Sequence, residues 1–121
     1  MQEKLTPQEE QAMNVIWKIG EGNVKSILNE LPQPRPPYTT LASTVKNLEK
    51  KGYVESRRIG NLYLYKPSID AKTYNKKSLS NLVKQHFGNS YKSLVAFFAE
   101  QKKISASELK EIIDMIETKK K

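Results

Sequence analysis

The segment from Tyr38 to Pro67, YTTLASTVKNLEKKGYVESRRIGNLYLYKP, constrains the fold of this chain more than any other stretch. Leu41, Val45 and Leu48 recur at i, i+4 and i+7, so they share one face of a helix running from about Thr39 to Lys51. Gly52 stands where that helix must stop, in the position that favours a left-handed residue. Two β-rich runs follow, Val54 to Arg58 and Leu62 to Lys66, around the turn Ile59-Gly60-Asn61. A helix that stops at a glycine and leads straight into a hairpin is the second half of a winged helix-turn-helix. The expected class is therefore mainly α with a small β-wing.

The face of that helix opposite Leu41 has an unusual composition. At about 100° per residue, Thr39, Ser43, Lys46 and Lys50 fall there, flanked by Thr40 and Asn47, while Glu49 lies to one side. Hydroxyls and ammonium groups reach phosphates and guanine edges, and Asn47 has the donor–acceptor pair that suits adenine. An ordinary solvated face has similar ingredients, so the composition alone leaves both readings open. Arg57 and Arg58 precede the hairpin turn and Asn61 lies within it. Arginine on a wing grips phosphate or enters a minor groove. The plainer alternative is solubilising charge on an edge hairpin. Tyr63 and Tyr65 share a strand face and are expected to pack against the third helix rather than stack on bases.

Upstream, Thr6-Pro7-Gln8-Glu9 reads as a capping box with proline in the first turn. Ala12, Met13, Ile16, Trp17 and Ile19 follow at helical spacing, and Gly20-Glu21-Gly22 ends the helix. This G-x-G is not a phosphate loop, because Lys25 stands where the third glycine of a dinucleotide fingerprint belongs. Asn23 caps a second helix whose buried face is Val24, Ile27, Leu28 and Leu31. The run Pro32-Gln33-Pro34-Arg35-Pro36-Pro37 cannot be helical and is read as a stiff connector, although a proline-rich ligand has the same look.

Pro67 and Asp70 suggest a boundary, giving a winged-helix domain over 1–70 and a three-helix region over 71–121. Helices are expected from Asn75 to Phe87, from Ser90 to Gln101, and from the capping box Ser105-Ala106-Ser107-Glu108 onward. Their apolar residues are Leu79, Leu82, Val83 and Phe87; Leu94, Val95, Phe97 and Phe98; and Leu109, Ile112, Ile113 and Ile116. About 50 residues in three short helices rarely close a core of their own. The stripes need a partner surface. A second copy of the chain is the expected partner, with folding back on the N-terminal domain as the alternative.

Charge and composition narrow the function. The net charge is +8, unevenly spread. Residues 1–34 carry −2, 35–66 carry +5, 67–99 carry +4 and 100–121 carry +1. The strongest positive block coincides with the helix–wing unit, as a polyanion-binding face requires. Cysteine is absent, so there are no disulfides or thiolate metal sites. His86 is the one histidine, read as a helix-surface or dimer-face residue rather than a ligand. No phosphate-binding lysine motif, nucleophile elbow or pair of carboxylates is visible. No enzyme activity, metal or cofactor is expected. No run approaches the roughly 20 apolar residues of a membrane span, and the polar N-terminus is unlike a signal peptide. The default expectation is a soluble cytoplasmic protein.

Together these segments resemble the BlaI/MecI family of penicillinase repressors. Tyr38-Thr39-Thr40 and Leu48-Glu49-Lys50-Lys51-Gly52 resemble the family's recognition helix. Leu5, Glu9, Glu10 and Met13-Asn14-Val15-Ile16-Trp17 resemble its opening helix, Tyr65-Lys66-Pro67 the strand closing its wing, and Ser93-Leu94-Val95 with Phe98 a C-terminal segment. The resemblance covers nearly the whole chain. It implies a dimeric repressor on operators with dyad symmetry, controlling β-lactam resistance or other genes, with the C-terminal helices holding the dimer. It implies DNA contacts from Thr39, Thr40, Ser43, Lys46 and Asn47, with Arg57, Arg58 and Asn61 on the wing. Lys50 joins the helix set from its place on the exposed face. Repressors of this kind are inactivated by C-terminal proteolysis through a membrane sensor protease system, at an Asn–Phe bond in the antibiotic-responsive members. The matching positions here are Phe97 and Phe98, so that Asn is missing. The absence of Cys excludes thiolate copper sensing of the sort known in relatives. The rival from another class is a winged-helix protein-interaction module without specific DNA binding, which lacks a reason for the +5 block.

Overall fold

A computed structural model describes residues 4–119 and divides the chain into two compact units, Met1–Asn75 and Lys76–Lys121. In the first unit α1 spans Pro7–Ile19, α2 Val24–Glu30 and α3 Tyr38–Lys50, followed by β1 Val54–Ile59 and β2 Leu62–Pro67. Helix α4, Ala71–His86, begins in the first unit and continues into the second, which also holds α5 Tyr91–Glu100 and α6 Ala106–Lys119.

Each boundary has a local cause. At α1 the Thr6 hydroxyl accepts from the Glu9 N–H at 3.2 Å while the Thr6 N–H donates to the Glu9 carboxylate at 2.8 Å. At α2 the Asn23 side chain accepts from the Ser26 N–H at 2.8 Å. The end of α2 is closed by Arg35, whose guanidinium donates to the Leu31 and Asn29 carbonyls, both at 2.9 Å. Pro37 precedes α3, which therefore starts at Tyr38, one residue earlier than expected, and takes no side-chain cap. Gly52 at φ 83° turns the chain into β1.

The hairpin is antiparallel, with register running from Val54↔Pro67 to Ile59↔Leu62, so each strand is one residue longer than the sequence indicated and the loop is Gly60-Asn61 alone. Gly22 ties the hairpin to the α1–α2 turn by an isolated bridge: its N–H and C=O bond Tyr65 at 3.0 and 2.8 Å. A Cβ at this position would meet the tip of the Ile19 side chain at 2.7 Å and the Ser26 Cβ at 3.3 Å, so a larger residue here requires Ile19 to shift.

Ala12, Met13, Ile16, Ile27, Leu41, Val45 and Leu48 are buried at the heart of one apolar core that Tyr53, Val54 and Tyr65 complete from the wing side. Long-range contacts of Ile69 and Tyr74 carry this unit to the start of α4. The Trp17 indole N–H donates to the Ile69 carbonyl at 2.8 Å. The Tyr74 ring lies 5.4 Å from Trp17 and 5.8 Å from Tyr53, and its hydroxyl donates to Glu10 at 2.7 Å. Asp70 caps α4 by accepting from the Thr73 N–H at 2.7 Å, so the helix starts four residues before the expected Asn75.

In the second unit Ser90 caps α5, and Ser105 with Glu108 forms the reciprocal box at α6. Val83 and Leu94 are buried, the Phe87 and Phe97 rings meet at 5.8 Å, and the Ser80 and Tyr91 hydroxyls share a hydrogen bond of 3.1 Å. Among the described residues, no helix is long and apolar enough to cross a membrane.

Candidate nucleic-acid interface

Helix α3 buries Leu41, Val45 and Leu48 and thereby exposes Thr39, Thr40, Ser43, Lys46, Asn47 and Lys50 together. The one carboxylate nearby, Glu49, is turned to the wing, where it accepts from the Ser56 hydroxyl at 2.6 Å. The exposed face is thus cationic and hydroxyl-bearing. Its first-turn N–H groups are uncapped by any side chain, leaving the positive end of the helix dipole beside Thr39 and Thr40.

The wing sorts its side chains by strand alternation. Ser56 reaches α3 through Glu49, so Arg58, two residues on, lies on the same face of the ladder as Ser56. Arg58 stands opposite Tyr63 in register, with its guanidinium 5.9 Å from the ring centroid, and donates to the Gly60 carbonyl at 2.9 Å. Tyr63 is half-exposed and carries Arg58 instead of packing on α3 as the sequence indicated. The tip of the ladder reaches beyond the core, and of the two tyrosines Tyr65 is the one that is buried. Burial, with the Glu49 carboxylate, pushes the Tyr65 hydroxyl up. Arg57 lies on the other face. It makes a two-pronged ion pair with Glu21, at 2.9 Å for each prong. That hydrogen bond holds the Glu21 carboxyl below the usual carboxylate range.

Residues 35–66 hold seven cations, and the structure divides them. Arg35 closes α2. Lys51 pairs with the buried Glu9 at 2.7 Å, Arg57 with Glu21, and Lys66 with Glu55 at 3.3 Å. Lys46, Lys50 and Arg58 have no acidic partner among the described residues. These three share the α3 and wing surface with Asn47 and the hydroxyls, and the exposed Asn61 sits at the hairpin tip. Glu9 belongs to the scaffold below. Burial alone would raise its carboxyl, but hydrogen bonds from Lys51 and Thr6 and the Lys51 charge hold it below the usual range.

Of the positions expected to meet a second copy, Val83 and Leu94 are buried inside their own unit, and Phe87 and Leu109 are partly covered. Leu79, Leu82, Val95, Phe98, Ile112, Ile113 and Ile116 are 38–54% exposed, and Met115 joins them. The bond between Phe97 and Phe98 lies within α5, with both rings exposed. His86 ends α4 on the surface. Among the described residues, no group of three or more His, Asp or Glu is placed to hold a metal ion.

Sequence reasoning missed Glu21, Glu49 and Tyr74. Glu21 meets Arg57 across 36 residues and Tyr74 meets Glu10 across 64, separations that no helical or strand period marks.

Comparison with known proteins places these features in context. The family model described as penicillinase repressor matches residues 5–118. The penicillinase repressor of Bacillus licheniformis is 25% identical over 97% of this chain and 92% of its own length. The methicillin resistance regulatory protein MecI of Mammaliicoccus sciuri is 21% identical over 96% of this chain and 95% of its own. The solution structure of the DNA-binding domain of the repressor BlaI aligns with a TM-score of 0.53 and 27% identity, covering 61% of this chain and 94% of that domain.

Proposed function

The chain belongs to the penicillinase repressor family, a family of DNA-binding transcriptional repressors, and on that premise we propose that it acts as a homodimer on operators with dyad symmetry. The observation that carries the reading is the division of cations. Of the seven in residues 35–66, Lys51, Arg57 and Lys66 pair with carboxylates and Arg35 closes α2, while Lys46, Lys50 and Arg58 have no acidic partner among the described residues and lie on the surface that also bears Asn47. Folding alone gives no reason to leave those three together.

In this reading α3 enters the major groove. Lys46, Lys50 and Arg58 neutralise phosphates, and Asn61 serves the backbone from the wing tip. Thr39, Thr40 and Ser43 position the helix on phosphate or base edges, and Asn47 reads adenine. The exposed stripes of α4, α5 and α6, with Ile112, Ile113 and Ile116 prominent, join two chains. Binding of the second winged unit is then effectively intramolecular, so affinity exceeds that of one unit without a new contact. The regulated genes in this reading are those of β-lactam resistance or related functions. Relief comes through cleavage by a membrane sensor protease system. A cut at Phe97–Phe98 requires α5 to open first, because the Phe97 and Phe98 carbonyls accept from the Gln101 and Lys103 N–H groups at 3.1 and 2.9 Å. No reaction of the chain's own is part of this reading.

The test is titration of the purified protein onto the DNA upstream of its own gene, with a scrambled duplex alongside and salt varied. The expected result is protection of two half-sites about a dyad, with affinity at least about 10³-fold above the scrambled duplex. Equal binding to both, lost at moderate salt, would leave only generic attraction of a basic protein.

A further inference from the structure

The wing presents two adjacent arginines that sequence treats alike and the structure treats differently. Arg58 is on the face of the ladder that reaches α3. Arg57 faces away and is met by Glu21 from the α1–α2 turn, through Nε and Nη2, both at 2.9 Å. Glu21 is well held for this role. The neighbouring Gly22 is fastened to Tyr65 by two backbone hydrogen bonds, and Gly20 donates to the Ile16 carbonyl at 2.8 Å. The carboxylate is therefore carried on a turn tied to the sheet it meets. The surroundings are electrically balanced: Lys66 on the same ladder face pairs with Glu55. This face holds two cations and two carboxylates, in contrast to the α3 side.

We propose that Glu21 withholds Arg57 from DNA, so that the wing grips the phosphate backbone through Arg58 and not through Arg57. Glu21 is thereby a residue that sets the electrostatic strength of binding without touching DNA. This inference rests on the DNA-binding reading above. The pair with Glu21 uses the Nε–H and one Nη2–H of Arg57 and neutralises its charge, and a phosphate that approaches the remaining donors meets the Glu21 carboxylate as a like charge beside it. Limiting the number of phosphate contacts limits non-specific affinity, which grows with each neutralised phosphate irrespective of sequence.

The experiment measures affinity against salt for the full-length protein, Arg57→Ala, Glu21→Ala and the double variant, on one operator duplex. Wild type and Arg57→Ala should give the same slope of log affinity against log salt. Glu21→Ala should be steeper by about 1 per bound chain, and the double variant should return to the Arg57→Ala value. The double variant separates release of Arg57 from the simple loss of a negative charge. A lower slope for Arg57→Ala alone would overturn the proposal, as would a Glu21→Ala increase that survives in the double variant. Weaker binding by Glu21→Ala at unchanged slope would overturn it too, making Glu21 a brace of the wing only. Melting curves check that the substitutions leave the fold intact. The NMR signal of the Arg57 side-chain N–H should be shifted by Glu21→Ala in free protein and unmoved when DNA is added to wild type. Movement on DNA addition would overturn the proposal. Absence of any salt-dependent binding by wild type would instead sink the DNA reading, while the free-protein signal would still report the ion pair.

Discussion

The two units of this chain use apolar residues in opposite ways. The winged unit turns them inward: Met13, Ile16, Ile27, Val45 and Leu48 are shielded from solvent, and helices, turn and hairpin all contribute to one core. The C-terminal unit buries Val83 and Leu94 but leaves the stripe of α6 open, with Ile112, Ile113, Met115 and Ile116 about half-exposed. Side-chain caps open helices of both units, α1, α2 and α4 as well as α5 and α6, so the difference is not in helix formation. It lies in whether a stripe finds a surface within its own chain. One unit encodes a closed object, and the other encodes a surface.

The largest effect should come from the closed object. Leu48→Ala removes a fully buried side chain and should cost about 2–5 kcal/mol of unfolding free energy, measured by urea denaturation. The same truncation at Ile113, half-exposed on α6, should cost under about 1 kcal/mol in a dilute, monomeric sample. Equal costs would mean that α6 is already covered within the chain, and the contrast between units would fail.

Next comes the open surface. Ile113→Asp should leave the winged unit folded by its near-ultraviolet signal yet shift the mass in sedimentation from dimer to monomer. Operator affinity should fall about 10²-fold or more with the loss of effective concentration. A monomeric wild type, or a dimer untouched by the substitution, would remove the partner assigned to this stripe.

A third test probes how the closed unit is fastened. Glu9 is buried and bonded to both Lys51 and Thr6. Its folded carboxyl titrates below the usual range, so its contribution is complete above that range. That contribution is lost as pH falls through the depressed folded value. Stability of the winged unit should therefore decline on the acid side more steeply in wild type than in Glu9→Gln. The substitution itself should cost about 1–3 kcal/mol near neutrality, since it leaves the Lys51 ammonium without its anion. Parallel acid limbs in the two proteins would show that other carboxylates carry the dependence.

What was legible in the sequence follows the same division between local and distant causes. Thr6 with Glu9, Asn23, and Ser105 with Glu108 announce their helices because a cap and its helix lie within four residues. Leu41, Val45 and Leu48 announce the buried side of α3, and with it the exposed one. The hairpin was visible to within a residue at each strand end. The split between Arg57 and Arg58 was not visible as a difference in function. Alternation separates the two faces, but which face meets α3 depends on Ser56 and Glu49, and what meets the other depends on Glu21, 36 residues away. Tyr63 misled for the same reason: sharing a face with Tyr65 says nothing of how far the core extends beneath the ladder. No period in the sequence marks Tyr74 as a residue of the first compact unit, Met1–Asn75, where Trp17, Tyr53 and Glu10 hold it.

The smallest effect tests the outer surface of the closed unit. Arg58 takes part in no core contact, so Arg58→Ala should leave the denaturation midpoint unchanged within about 0.5 kcal/mol. It should lower the salt slope of operator binding by about 1 per chain, and reduce affinity equally for operator and scrambled duplexes. Asn47→Ala should do the reverse, keeping the slope while altering which base is preferred at one position of each half-site. The two substitutions differ because an arginine on a hairpin contributes charge, whereas an amide on α3 contributes a directed donor and acceptor. A change of base preference from Arg58→Ala would move the wing from gripping the backbone to reading a groove. A change of slope from Asn47→Ala would mean that α3 is displaced as a whole, since an uncharged side chain releases no counterion of its own.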